Sequence, residues 1–132
     1  MATDALLALQ ASVTKTSTFS SAVFTLATGT PRRGLKARVL YSAGASGTAT
    51  STATFSISVS YDGGSSFNPE FLADPLTLPT SGAIAGEFFI PFEVSPTSVA
   101  NGVQIKLVCT IAPGSSATPT ITYQGDICLG RP

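Results

Sequence analysis

Residues 48–67 read TATSTATFSISVSYDGGSSF, and this stretch decides the fold. From Thr48 to Ser60 every even position is Ser or Thr, while the odd positions run Ala49, Ser51, Ala53, Phe55, Ile57 and Val59, and on to Tyr61. A period of two is the signature of a β-strand, whose successive side chains point to opposite faces. At ~3.3 Å per residue such a strand reaches roughly 45 Å, well beyond the usual ~5–6 residues. One face is core-like; the other is a row of hydroxyls without a charge. An exposed strand ordinarily carries Lys or Glu to deter edge pairing. The hydroxyl face, or the small-residue half Thr48–Ala53, is therefore expected to lie against a neighbouring subunit or another protein surface.

The same period recurs outward from this stretch. Residues 17–28 have strand composition, and Leu35–Tyr41 alternates Leu35, Ala37, Val39 and Tyr41 against Lys36, Arg38 and Leu40. Gly86–Val94 alternates Phe88, Ile90, Phe92 and Val94 against Glu87, Phe89, Pro91 and Glu93. Pro91 cannot donate to a ladder, which predicts an edge position. Residues 101–111 and 119–129 alternate around the turn PGSSA and predict a C-terminal hairpin. The segment 67–80 holds Pro69, Pro75 and Pro79, so it reads as a loop or a broken edge. In residues 4–13, Leu6, Leu9 and Val13 fit a helix, while Ala5, Leu7, Leu9, Ala11 and Val13 fit a strand; the β context favours a strand or extended arm. The expected organisation is an N-terminal arm or first strand over 1–16 and one antiparallel β-sandwich over 17–132. About seven or eight strands are expected, of Greek-key or jelly-roll type.

The chain has 132 residues, enough for a core without metals or disulfide staples. Only 11% are charged, and seven basic residues balance seven acidic ones. No global field would attract nucleic acid or an anionic membrane, so neither is expected as a partner. So little charge gives a free monomer poor colloidal stability, which assembly would relieve. No apolar run of ~18 residues forms a spanning helix. The start, MATDALLALQASV, lacks the basic n-region of a signal peptide, so synthesis in a cytoplasm is expected. Cys109 falls in the inward phase and Cys128 in the outward phase, which predicts two free thiols.

The chain has no histidine. That removes Ser-His-Asp and Cys-His catalysis and the usual zinc sites. Glu87 and Glu93 share a strand face but stand six residues apart, ~20 Å, too far for the ~5–9.5 Å of a glycosidase pair. Asp62, Glu70 and Asp74 flank loops, with nothing that requires them to converge. No catalytic residue, cofactor or metal is assigned.

Ser60-Tyr61-Asp62-Gly63-Gly64-Ser65-Ser66-Phe67 resembles an Asp-box, the S-x-D-x-G-x-[ST]-[WF] hairpin of sialidases and other β-proteins, with Phe in place of the more frequent Trp. The resemblance implies a structural turn at Asp62, Gly63 and Gly64, capped by the Asp side chain with the aromatic packed beneath. The residue chemistry agrees, because Asp-Gly supplies positive φ and Asp accepts nearby backbone N–H bonds. One copy does not imply a propeller.

Arg32, Arg33, Lys36 and Arg38 are four of the seven basic residues. They read either as a solvated polar edge or as a contact for an acidic protein surface. Tyr41, Tyr61 and Tyr123 fall on inward phases, which weakens a sugar-stacking role. Phe89 falls on the outer face between Glu87 and Pro91 and is a candidate interface anchor.

In composition and layout the chain resembles tailed-phage virion proteins, above all small head decoration (cement) proteins. The resemblance rests on Ala/Ser/Thr/Gly-rich alternating strands and the YDGGSSF hairpin. It implies a non-enzymatic protein of the virion that binds the major capsid protein or another virion protein on the capsid exterior. It further implies a homo-oligomer, with a trimer favoured, that bridges capsid subunits. A phage tail or head–tail joining protein and a carbohydrate- or receptor-binding module are the alternatives, and an enzyme is the last choice.

Overall fold

The computed structural model describes residues 6–21, 23–26, 35–45, 47, 49–93, 103–114, 117 and 119–128. Among them the chain is all-β, with ten strands: β1 (Leu6–Lys15), β2 (Phe19–Ser20), β3 (Phe24–Leu26), β4 (Leu35–Ala43), β5 (Ser51–Ser60), β6 (Asn68–Leu72), β7 (Leu76–Leu78), β8 (Ile84–Phe92), β9 (Val103–Ala112) and β10 (Ile121–Cys128). They form two antiparallel sheets packed face to face. One sheet has the order β1-β10-β4-β8. In the other, β9 and β5 lie at the centre, with β2 and β3 along one side and β6 and β7 along the other. Counting β2 with β3 and β6 with β7, first pairs with last, second with second-last, and so inward to the β5–β6 turn. This nested pairing, shared between two sheets, is the jelly roll.

The expected C-terminal hairpin does not form. β9 pairs with β5 in one sheet and β10 pairs with β4 and β1 in the other. Both strands are buried along one face, and each finds a longer ladder elsewhere. The ten-residue β5 is correspondingly interior, flanked by β9 on one side and β6 and β7 on the other. An interior strand has no free edge to defend, which removes the reason to place its hydroxyl face against a neighbour. Ser56, Ser58 and Ser60 lie on the outer face yet are buried within this chain. In register, Ser56 stands between Val108 and Leu72, and Ser58 between Lys106 and Pro69. Larger flanking side chains shade the small serines. Thr48 lies outside the described residues.

β1 explains its own ambiguous periodicity. Its register against β10 shifts twice, between Ala8 and Gln10 and again between Gln10 and Val13. Each bulge adds a residue and flips the phase. Leu9 is therefore buried and Val13 packs on the core, while Ala11 between them is exposed. Among the described residues β8 pairs with β4 alone, so Pro91 lies on an edge strand as its missing N–H requires.

The core is aromatic at its centre. Phe55 of β5 meets two rings of the opposite sheet: Tyr123 edge-on at 5.0 Å between centroids and Phe88 at 5.5 Å. Phe71 and Phe92 make a second inter-sheet pair at 6.0 Å. The sheets approach closely at Gly125, where a Cβ would fall 2.6 Å from Leu107 Cδ2. Cys109 is buried and Cys128 half-buried; both are free thiols. Burial alone pushes the Cys109 thiol up to about 12.

Two substitutions test this core. Phe55→Ala removes the ring shared by both sheets and should cost about 3–5 kcal/mol in denaturant unfolding. The Tyr123 hydroxyl is buried with no hydrogen-bond partner among the described residues. Tyr123→Phe should therefore leave stability unchanged or raise it by about 1 kcal/mol. A loss above that size would show that the hydroxyl has a partner.

Candidate interaction surface

The outer face of the β1-β10-β4-β8 sheet gathers the polar and aromatic residues picked out by phase. β4 sits between β10 and β8, so Asp126, Arg38 and Phe89 form one cross-strand row, and Cys128, Lys36 and Pro91 the next. Lys36, Arg38 and Phe89 thus converge from two strands. Phe89 is 46% exposed, and the Lys36 ammonium lies 5.4 Å from its ring centroid, within cation–π range. Arg32 and Arg33 lie outside the described residues.

Lys36 and Arg38 are not equivalent. The Arg38 Nε donates to Glu87 Oε2, its diagonal neighbour on β8, and its Nη1 stands 4.0 Å from Asp126 Oδ2. The guanidinium is held between two carboxylates of its own chain, and the Glu87 hydrogen bond raises its pKa further. Lys36 has no carboxylate partner among the described residues. The positive charge this face offers is Lys36, set against an exposed ring. Cys128 stands beside Lys36 in register; partial burial raises its pKa and keeps it a thiol at neutral pH.

Two hollows border the cluster. A shallow groove of about 550 Å³ runs across the sheet between Ser12, Leu40, Ser42, Ala85, Thr122 and Gln124. Its lining mixes Ser, Thr and Gln side chains with apolar ones and includes Glu87, with a Thr14–Thr122 hydroxyl pair nearby at 2.8 Å. A second groove, about 400 Å³, lies where β8 approaches the β6–β7 side, between Tyr41, Leu72, Leu76, Phe88 and Phe89, with Asp74 at its margin. Leu72 is 64% exposed there.

The 60–67 segment is a separate feature at one end of β5. Ser60 Oγ donates to Asp62 Oδ1 at 2.7 Å and accepts from the Gly64 N–H at 2.9 Å. Asp62 accepts the Ser66 N–H at 3.0 Å and the Ser66 hydroxyl at 2.7 Å. Gly63 and Gly64 have φ of 78° and 97°, a region that glycine enters without strain. The turn spans 61–67 and is wider than a two-residue Asp-Gly hairpin, because side-chain bonds rather than a tight backbone turn close it. Phe67 lies under Lys106, whose Nζ is 4.4 Å from the ring centroid. Asp62, Glu70 and Asp74 do not form a cluster: among the described residues no three of His, Cys, Asp and Glu gather as a metal site would require.

Sequence phase placed Lys36, Arg38 and Phe89 on outward faces. It could not place β4 beside β8, and so missed Glu87 and Asp126 as the partners of Arg38. Leu72 was missed because its neighbouring prolines obscured the strand. No protein-family model matches the chain, and no curated protein matches it in sequence.

The Asp62 network sets a pH dependence. Hydrogen bonds from Ser66 and Ser60 lower the Asp62 pKa from 3.8 to about 2. Its folded pKa is below the unfolded one, so the stabilisation is full above the unfolded value and is lost as pH falls through about 2. The melting temperature should fall across that acid window, and Asp62→Asn should flatten the fall. Parallel curves for the two proteins would exclude Asp62 as the cause.

Proposed function

We propose that this chain is a non-enzymatic structural protein of a tailed-phage virion, which binds the capsid exterior and bridges capsid subunits. The observation that carries the reading is the Lys36–Phe89 pair: an exposed ring beside a cation that has no carboxylate partner among the described residues, while Arg38 is held by Glu87 and Asp126. A buried aromatic anchor with a steering charge at its rim is the chemistry of a protein contact. Binding would proceed by burial of apolar area, with no chemical step. The jelly roll recurs in viral capsid, lectin and cupin domains, so the fold supports the reading by analogy only.

The second reading, a glycan-binding module, draws support from the hydroxyls and amide of Ser12, Ser42, Thr122 and Gln124, which line part of the shallow groove. Neither Tyr41 nor Tyr123 turns a ring outward as a stacking platform; both belong to the core.

Co-sedimentation of the full chain with empty capsids separates the two. The wild type should pellet with capsids. Lys36→Glu should weaken binding several-fold at low salt and less at high salt, as a screened contact does. Val23→Lys, at an exposed apolar residue distant in sequence, should bind normally. Wild-type protein left in the supernatant overturns the capsid reading, and Lys36→Glu binding unchanged at low salt overturns the role of this face. Glycan binding without capsids, lost on Gln124→Ala, would establish the second reading instead.

A further inference from the structure

Among the described residues the sandwich has four sheet edges, and three are guarded by geometry. β1 carries two bulges. β2 and β3 are two and three residues long. β6 and β7 are short, and β6 is bulged against β5. Short, broken or bulged edges are how proteins prevent strand addition. β8 has none of these guards over Ile84–Ile90: it runs nine residues in unbroken register with β4, and its one blocking residue, Pro91, stands near its end.

Pro91 also sets which groups face outward. A strand proline turns its donorless side to the open edge. In-plane direction alternates with each residue of an antiparallel strand. Ala85, Glu87 and Phe89 therefore aim their N–H and C=O groups away from β4.

We infer that β8 is a self-recognition edge, where two copies of this chain pair antiparallel through Ala85, Glu87 and Phe89 about a two-fold axis at Glu87. The sequence of the edge favours a second copy over a foreign strand. Residues 85–89 read Ala-Gly-Glu-Phe-Phe. Laid antiparallel on itself about Glu87, this segment sets Ala85 opposite Phe89 and Gly86 opposite Phe88, small against large on both faces. Gly86 also makes room for its own Tyr41, whose hydroxyl would stand 2.8 Å from a Cβ there. Ala85 is exposed, so the room it leaves serves the facing copy. The second strand would lie beside the groove of Leu72, Phe88 and Phe89 and cover it.

The cost is one like-charge contact, Glu87 against Glu87. Each carboxylate already holds the Arg38 of its own chain, so both sides of the pair carry a bonded cation. With zero net charge per chain, little long-range repulsion opposes association. A two-fold contact closes at two copies, unlike the trimer expected by resemblance. The inference rests on the edge alone and stands or falls independently of the virion reading, because it is tested without capsids.

Light scattering on the full chain should give a dimer at about 50 µM. Amide exchange at residues 85, 87 and 89 should slow as concentration rises, while exchange along β1 stays constant. Phe89→Ala removes the filling ring, and symmetry counts the change twice, so it should raise the dissociation constant about tenfold. The combined Ala85→Phe and Phe89→Ala variant restores small against large and should recover to within about threefold of wild type. A monomer at that concentration, β8 exchange independent of concentration, or a double variant no better than Phe89→Ala would overturn the inference. Wild-type exchange decides the case if a variant fails to fold.

Discussion

Phe55 is the residue on which the two layers depend. Each sheet is held internally by ladders, but the sheets join each other through side chains. Phe55 reaches across to Tyr123 and Phe88 at once, and Phe88 in turn meets Tyr41 at 5.8 Å. The nested topology makes this contact necessary: the chain crosses repeatedly between sheets, so neither half forms a closed unit before the other is present. The small residues follow from the same constraint, since Gly125 brings Leu107 of the facing sheet within contact. A sandwich built this way uses shape, with little charge, to set its inter-sheet register.

Several of the Ser and Thr hydroxyls serve the backbone. Where an edge is broken, hydroxyls take the place of ladder partners. Leu107 donates its N–H to Ser21 Oγ at 2.9 Å, and Ile111 donates to Thr18 Oγ1 at 3.1 Å beside the short β2. Gly114 donates to Ser51 Oγ at 3.0 Å where the chain leaves β9. Ser60 performs the same service in the turn after β5. Buried backbone donors must be satisfied, and a short hydroxyl does so without desolvating a charge.

The strands were legible in the sequence because period two survives in β4, β5, β8, β9 and β10. Topology was not, because alternation tells which face a residue takes and nothing of which strand lies beside it. The PGSSA turn therefore suggested a hairpin, while β9 and β10 belong to opposite sheets. β1 was ambiguous for a different reason: two bulges mixed its phases until Leu9 and Val13 carried a helix-like spacing. The surface followed the same rule. Phase alone exposed Lys36 and Phe89, but whether Arg38 was free depended on Glu87 and Asp126, 49 and 88 residues away, and only the β8–β4–β10 order brings them together.

Scarcity of charge and the form of the edges are connected. A chain with 11% charged residues cannot guard four edges with lysine. It guards three with bulges and short strands, devices that consume no charge. Each device also shortens or bends a ladder. β8 is spared both: its inner face carries Ile84, Phe88, Ile90 and Phe92 onto the core, and a bulge there would turn some of them outward. The unbroken register that packs β8 on the core is therefore also what leaves its outer edge straight, and Pro91 limits how far that straight edge can donate hydrogen bonds.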